Sequence, residues 1–209
     1  MREDSPSLMT VIELQADEVS WETASPQETE AIGHRLGRLL LPGDLLALAG
    51  GLGTGKTVLV RGVVAGLGGS AAEVHSPSFT LVNEYAIAPA AAGAPGRRAR
   101  GFAHLDLYRI SRAEELPGIG WDEYVTAAWI VAIEWAERAG EWLPADHLRI
   151  TLEYLGETRR RLHARASGAR PRALLRAWVA PGETVAGARE TDGGSAESGI
   201  GEATRSEVS

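Results

Sequence analysis

The segment from Gly50 to Thr57 has the composition and spacing of a phosphate-binding loop. It reads GGLGTGKT and matches the pattern G-x-x-x-x-G-K-[ST]. Glycines allow such a loop to turn its backbone N–H groups toward phosphate oxygens, and the helix that follows adds the positive end of its dipole. We expect Lys56 to act as a catalytic cation on the β- and γ-phosphates, and the Thr57 hydroxyl to coordinate Mg²⁺. The predicted nucleotide-binding residues of the loop are Leu52, Gly53, Thr54, Gly55, Lys56 and Thr57.

The surroundings of the loop bear on whether it holds a ligand. A glycine-rich turn without a ligand would give the same short pattern, but an apolar run precedes this loop and an apolar helical stretch follows it, which favours the phosphate site. Lys56 is also the only lysine among the 21 Lys and Arg residues. No N-K-x-D guanine motif is therefore possible, which favours ATP over GTP.

Two carboxylates are candidates to complete such a site, which needs acids to hold magnesium and orient the attacking group. Glu134 ends the apolar run WIVAIE, as a Walker B magnesium ligand does, although it could also open a surface turn. Asp106 lies in HLDLYR, and the alternation predicts a mid-strand position on the face opposite Leu105 and Leu107. An isolated buried carboxylate is costly, so we interpret Asp106 as catalytic or water-positioning, with a structural hydrogen bond as the alternative.

Several other polar residues have weaker signals. The segment SPSFT could act as a switch that senses the γ-phosphate through Ser76, Ser78 and Thr80, or it could be an ordinary turn. His104 is more typical of a structural or surface histidine than of a base. The run Arg159 to Arg161 predicts a solvated face of a hairpin, from which one side chain could approach the nucleotide or a partner.

The elements that must position these residues alternate between strands and helices. Ser25 is a predicted N-cap and Pro26 the first residue of a helix that continues to Leu40. Apolar or alternating runs predict strands at DLLALAG, SFTLVNEYAI, FAHLDLYRI and AWIVAIEW, and an antiparallel pair at HLRITLEYL and RRRLHARA. This order predicts an α/β class: a P-loop NTPase-like three-layer fold with a mixed central sheet in a single domain.

Composition sets the boundaries of that domain and excludes some functions. Residues 1–18 are a polar N-terminal segment, residues 19–180 the domain, residues 88–101 a flexible insertion, and residues 181–209 a tail predicted to be disordered. A net charge of −7 argues against a broad nucleic-acid surface, so any RNA would be held through a partner. The chain has no cysteine, which excludes disulfides and thiolate metal sites. It has no apolar run that could span a membrane and no secretory signal, so we expect a cytoplasmic protein.

Taken in order, the motifs resemble one family. The stretches GGLGTGKT, HSPSFTLVNEY, HLDLYRI, EELPGIGWDEY and IEW occur in the order and rough spacing of the bacterial ATPase family TsaE, formerly YjeE. The resemblance covers about residues 20–166. Ser78 stands where the family usually has threonine, and Ala136 where proline is common.

The resemblance implies a function and a set of roles. Members of the family support formation of threonylcarbamoyladenosine in tRNAs that read codons beginning with A. They bind ATP and Mg²⁺ and act with TsaD and TsaB, so contact with tRNA is indirect, through that complex. By matching position, Thr57 and Glu134 would hold Mg²⁺, and Asp106 would assist hydrolysis. Residues 76–80 would form the switch segment, and Trp135 would lie beside the nucleotide.

Two other classes of function remain open from the sequence. The chain could be a binding module whose ATP-loaded state docks a partner while hydrolysis is incidental. It could also be a small-molecule kinase, which usually needs an arginine-rich lid. The arginine cluster between the motifs, at 97, 98 and 100, falls in the predicted insertion, which disfavours the kinase.

Overall fold

The computed structural model describes residues 10–14, 17–88 and 99–180, with side chains from residue 17 onward. Most of the predicted insertion and all of the predicted tail lie outside these ranges. The strands are β1 (Thr10–Leu14), β2 (Glu18–Thr23), β3 (Leu45–Ala49), β4 (Val82–Tyr85), β5 (Phe102–Asp106), β6 (Ile130–Glu134), β7 (His147–Tyr154) and β8 (Arg160–Ser167). The α-helices are α1 (Pro26–Gly37), α2 (Lys56–Gly66), α3 (Trp121–Tyr124) and α4 (Ala169–Val179). Short 3-10 helices occupy Ala71–Glu73, Ala113–Ile119 and Ala136–Trp142.

The strands of the described ranges form one mixed sheet in the order β1-β2-β8-β7-β3-β6-β5-β4. Strand β3 pairs in parallel with β6 and β7, β5 pairs in parallel with β6, and the remaining pairs are antiparallel. The carboxyl ends of β3, β5 and β6 therefore meet at one edge of the sheet. The predicted α/β class and mixed central sheet are confirmed.

Two apolar layers cover the sheet. Helices α1, α2 and α4 pack on one face, where Leu36, Leu59 and Trp178 are buried against strand residues. The other face is covered by α3 and by the 3-10 helices that follow β5 and β6, with Leu116 and Trp121 in its core. Burial of these apolar side chains provides most of the driving force for the fold. The structure thus has the three layers that the sequence predicts.

The start of α1 follows the predicted capping. Ser25 has an extended backbone, and its hydroxyl accepts a hydrogen bond from the Glu28 N–H at 3.2 Å. The Glu28 carboxylate in turn accepts from the Ala24 N–H at 2.8 Å, while Pro26 opens the first turn. The helix ends at Gly37, earlier than predicted, and the chain turns before the buried Leu40.

Strands β1 and β2 and helix α4 were not predicted from the sequence. Strand β1 pairs antiparallel with β2, and β2 extends the sheet beside β8. Helix α4 packs back on this region: the rings of Trp21 and Trp178 lie 4.4 Å apart, and the Trp178 indole N–H donates to the Ile32 carbonyl at 3.1 Å. These elements are stabilised by contacts distant in sequence, which short-range patterns do not reveal.

A glycine seam joins α1 to α2. Gly33 and Gly37 of α1 face Gly62 and Gly66 of α2, and a Cβ atom at Gly62 would collide with the carbonyl oxygen of Glu30. The backbones of the two helices are therefore in direct contact. Because α2 begins at Lys56, this contact also fixes the position of the predicted phosphate loop.

Gly62→Ala is expected to lower the free energy of unfolding by about 1–3 kcal/mol, because the added methyl group forces α1 and α2 apart. Urea denaturation measures this change. Gly118→Ala serves as the control, since a Cβ atom there would meet no atom within 4 Å. Equal stability of the two variants would contradict direct backbone contact at the seam.

Candidate active site

The glycine-rich segment forms a loop between β3 and α2, as the motif predicts. Gly55 is the N-cap of α2 and has φ +100°, a left-handed conformation that side chains disfavour. Gly50 has no space for a side chain, because a Cβ atom there would overlap the carbonyl oxygen of Leu152. The fixed glycines of the pattern thus meet steric requirements of this backbone.

Lys56 is buried at the start of α2, with 4% of its surface exposed. Its ammonium donates hydrogen bonds to the carbonyl oxygens of Gly50 at 2.8 Å and Gly51 at 3.0 Å. Nζ lies 4.5 Å from the ring centroid of Trp135 and 3.9 Å from Oε2 of Glu134. Burial lowers the pKa of Lys56, and the carboxylates of Glu134 and Asp106 offset part of that effect. A compact cation therefore occupies a narrow space beside the loop.

Glu134 ends β6, as predicted, and lies beside the loop rather than in a surface turn. Its Oε1 accepts the Thr57 hydroxyl at 2.8 Å and the Nε2–H of His104 at 3.0 Å. Burial raises the pKa of Glu134, but the hydrogen bonds from His104 and Thr57 and the charge of Lys56 bring that pKa below its ordinary value. The side chain is therefore a buried anion that connects β6 to the first turn of α2.

Asp106 is the last residue of β5, so the predicted mid-strand position is wrong. Its Oδ1 accepts the backbone N–H of Tyr108 at 2.8 Å, which turns the chain out of the strand. Its Oδ2 accepts the hydroxyls of Ser78 and, at 3.5 Å, Ser76. Asp106 is the register partner of Glu134, so the two acids lie side by side on neighbouring strands. The pairing that a buried carboxylate requires is supplied by hydroxyls and a backbone amide.

The predicted switch segment is only partly brought to the site. Ser76 and Ser78 bind each other at 2.8 Å between their hydroxyl oxygens, and both contact Asp106. Thr80, in the turn that precedes β4, instead donates to the side chain of Asn83 in β4 at 2.8 Å. Between them, Phe79 has 89% of its surface exposed.

Trp135 directly follows Glu134 and lies against Lys56. Its backbone is left-handed, with φ +58° and ψ +39°, a conformation that costs a non-glycine residue about 1–2 kcal/mol. The indole ring also packs on the Tyr108 ring, with centroids 5.1 Å apart. The guanidinium carbon of Arg138 lies over the Tyr108 ring, 5.5 Å from its centroid. Strained residues of this kind concentrate at functional sites, and this one places an aromatic ring beside the loop lysine.

Two further residues contact the site. His104 is fully buried and binds Glu134, which agrees with the structural role rather than the surface role among the two that its type suggested. Its location two residues before Asp106, on the same face of β5, was an available signal. Arg160 contacts the backbone of the phosphate loop at Gly53 and Thr54. The sequence predicted a solvated arginine face and left open that one of its side chains could approach the nucleotide or a partner. No local sequence signal distinguishes Arg160 from its two arginine neighbours.

The donor set can be tested for a fit to magnesium. Within the residues that the structure describes, no group of three or more His, Cys, Asp or Glu side chains could hold a metal ion. The Thr57 hydroxyl and the Glu134 carboxylate nevertheless converge, with 2.8 Å between their oxygens. Mg²⁺ prefers oxygen ligands and commonly uses one or two from the protein with the rest from phosphates and water. Thr57 and Glu134 fit that requirement.

A family model described as Threonylcarbamoyl adenosine biosynthesis protein TsaE matches residues 23–162. The chain belongs to the TsaE family. It is 34% identical over 155 residues to the tRNA threonylcarbamoyladenosine biosynthesis protein TsaE of Bacillus subtilis (strain 168), covering 73% of this chain and 89% of the relative. It is 36% identical over 138 residues to TsaE of Treponema pallidum (strain Nichols), covering 66% of this chain and 93% of the relative.

A solved structure agrees with this membership. The crystal structure of Bacillus subtilis YdiB superposes with a TM-score of 0.59 at 29% identity, over 77% of this chain and 93% of that chain. The part matched by the TsaE model includes Lys56, Thr57, Asp106 and Glu134. The TsaE family takes part in threonylcarbamoyladenosine biosynthesis. Across the described ranges, no helix has the length and apolarity that crossing a bilayer requires.

Proposed function

We propose that the protein is a Mg²⁺-dependent ATPase that supports formation of N6-threonylcarbamoyladenosine in tRNAs reading codons that begin with A, acting with TsaD and TsaB in the cytoplasm. The observation that carries this proposal is the convergence of Lys56, Thr57 and Glu134 at the start of α2. Asp106 lies beside Glu134 on the neighbouring strand. A cation, a hydroxyl and two acids next to a phosphate loop are the groups that phosphoryl transfer requires.

Each residue has a role in this proposal. Backbone N–H groups of the loop and the Lys56 ammonium bind the β- and γ-phosphates and stabilise charge as the terminal bond breaks. Thr57 and Glu134 hold Mg²⁺, which neutralises charge on the phosphate oxygens. Asp106 orients the attacking water and favours loss of its proton. Ser76 and Ser78 bind that same carboxylate, so they couple the switch segment to hydrolysis.

Surface properties support action through partner proteins. Leu52, at the tip of the phosphate loop, has 87% of its surface exposed, and Phe79, in the switch segment, has 89%. Exposed apolar side chains of this size beside a site favour protein contact. The net charge of −7 disfavours direct binding of a polyanion such as tRNA. In this proposal TsaD transfers the threonylcarbamoyl group and ATP hydrolysis here supports turnover of its complex with TsaB.

Phosphate release tests the proposal. It is measured with the protein alone, with TsaD and TsaB, and with candidate small-molecule acceptors of phosphate. We expect hydrolysis that increases when TsaD and TsaB are present, and no transfer of labelled phosphate to an acceptor. Transfer of label to a small acceptor would show a kinase and refute the proposal.

Glu134→Gln is expected to lower phosphate release by about a hundredfold or more, because it removes the anion next to Lys56 and a magnesium ligand while keeping the side-chain size. Stopped assays of phosphate release with and without TsaD and TsaB measure the effect. Glu141→Gln is the matched control, since it removes an exposed carboxylate from the 3-10 helix that follows β6. If Glu134→Ala abolished hydrolysis but left tRNA modification intact over many turnovers, the protein would be a binding module instead.

A further inference from the structure

Arg160 differs from its arginine neighbours in what it binds. Arg159 and Arg161 both form ion pairs with Glu22 at the surface, at 2.9 and 2.8 Å. The Arg160 side chain contacts the phosphate loop instead: Nε donates to the Thr54 carbonyl at 3.0 Å and Nη2 to the Gly53 carbonyl at 3.3 Å. One residue of the β8 start is thus bound to a loop more than a hundred positions earlier in the chain.

The rest of the guanidinium is fixed to the β7–β8 turn. Nη1 donates to the carbonyl oxygens of Gly156 and Arg159, both at 2.8 Å, and to that of Glu157 at 3.4 Å. The guanidinium carbon lies 4.6 Å from the ring centroid of Tyr154. None of the ion pairs among the described residues includes Arg160. The hydrogen bonds of the guanidinium therefore connect the phosphate loop to the β7–β8 turn through backbone carbonyls.

The geometry of the peptide group gives this contact a consequence for the site. In a trans peptide the C=O and the following N–H point in opposite directions. Arg160 holds the carbonyls of Gly53 and Thr54 on its own side, so the N–H groups of Thr54 and Gly55 point away from it. Within the loop, the Thr54 N–H also makes a long hydrogen bond, 3.5 Å, to the Gly51 carbonyl. A hydrogen bond from a cation to the carbonyl also polarises the peptide and makes its N–H a stronger donor.

We propose that Arg160 is a positioning residue for the nucleotide site. The hydrogen bonds from its Nε and Nη2 to the carbonyls of Thr54 and Gly53 hold the loop in the conformation in which its N–H groups can bind phosphate oxygens. This inference rests on the proposed function, because it takes a nucleoside triphosphate as the ligand. The hydrogen bonds of Arg160 all go to backbone carbonyls, so we expect its contribution to fall on nucleotide affinity and not on the chemical step.

The test compares variants of the full-length chain. Arg160→Met removes the hydrogen bonds to Gly53 and Thr54 and keeps an unbranched apolar side chain. Arg160→Lys keeps the positive charge but not the planar guanidinium. Arg161→Met is the control from the same strand. The Kd for MgATP is measured by calorimetry, and KM and kcat by phosphate release. We expect Arg160→Met to raise Kd and KM roughly tenfold and to change kcat by less than about threefold. Arg160→Lys recovers little of the affinity, and Arg161→Met binds as the wild type does.

Several outcomes would overturn the inference. Full recovery of affinity by Arg160→Lys would show that charge alone suffices. A loss confined to kcat, or equal effects of Arg160→Met and Arg161→Met, would show that the hydrogen bonds of Arg160 to the phosphate loop do not determine the affinity for MgATP. Failure of the proposed function is distinguishable: a wild-type protein that bound no MgATP would refute both proposals, whereas a kinase or a binding module would still bind MgATP and leave the comparison of Kd values valid. If the wild type binds MgATP and Arg160→Met binds it equally well, only the role of Arg160 is refuted.

Discussion

Lys56→Arg is expected to reduce nucleotide-dependent activity by more than about a hundredfold, although it conserves charge. The ammonium lies between the carbonyl oxygens of Gly50 and Gly51 and the ring of Trp135. With only 4% of the residue exposed, that space is bounded by backbone and indole. A planar guanidinium needs more room than a single nitrogen, so it would displace the loop that must bind phosphate. Phosphate release and calorimetric binding of MgATP measure the loss.

The same helix provides the control for this prediction. Arg61 lies further along α2, and Arg61→Lys makes the reverse exchange outside the site. We expect that variant to retain wild-type binding and hydrolysis. A Lys56→Arg protein with more than about a tenth of wild-type activity would contradict the steric argument for the only lysine of the chain.

Asp106→Asn is the second change with a large expected effect, a fall in kcat of about a hundredfold or more. The variant keeps the shape of the side chain but removes its charge. Its amide oxygen can still accept from the Tyr108 N–H, but its NH₂ then faces the hydroxyls of Ser76 and Ser78 and must donate to them, which reverses the direction of those hydrogen bonds. Single-turnover phosphate release measures the chemical step, and calorimetry measures MgATP affinity, which we expect to change little.

Ser78→Ala separates the two possible roles of Asp106. It removes one hydroxyl from the carboxylate and leaves the charge, so a loss smaller than that of Asp106→Asn is expected. Thermal unfolding checks that both variants remain folded. If Asp106→Asn lowered only the melting temperature and hydrolysed ATP at the wild-type rate, Asp106 would be a structural cap at the end of β5.

The site was predictable from the sequence where its signals are local. The N-cap at Ser25, the strand–loop–helix around Lys56 and the acid at the end of β6 each depend on neighbours within a few residues. The end of β5 was not predictable from alternation, because FAHLDLYRI continues the apolar pattern past Asp106. The chain turns there because the Asp106 carboxylate binds the Tyr108 N–H. A side-chain bond of this kind overrides strand propensity.

Other parts of the site depend on how distant segments meet. The contact of Arg160 with Thr54 requires that the β7–β8 hairpin lie beside β3, which the strand order establishes and no short pattern encodes. The buried His104 likewise acquires its role only when β6 pairs with β5 in the observed register. Helix α4 was not predicted because its buried face depends on distant segments: Trp178 contacts Trp21 of β2 and Ile32 of α1.

The register between β5 and β6 has a consequence for control of the reaction rate. Asp106 and Glu134 are opposite one another on adjacent strands, so the sheet spacing of about 4.8 Å sets the separation of their backbones. A binding partner cannot alter that separation without breaking the sheet. The serine segment around the exposed Phe79 is bound to Asp106 by side-chain hydrogen bonds, and a backbone hydrogen bond from the Leu81 N–H to the Pro77 carbonyl closes it at 2.6 Å. Under the proposed function, a partner that binds Phe79 would change the reaction rate through the hydroxyls of Ser76 and Ser78, which bind Asp106.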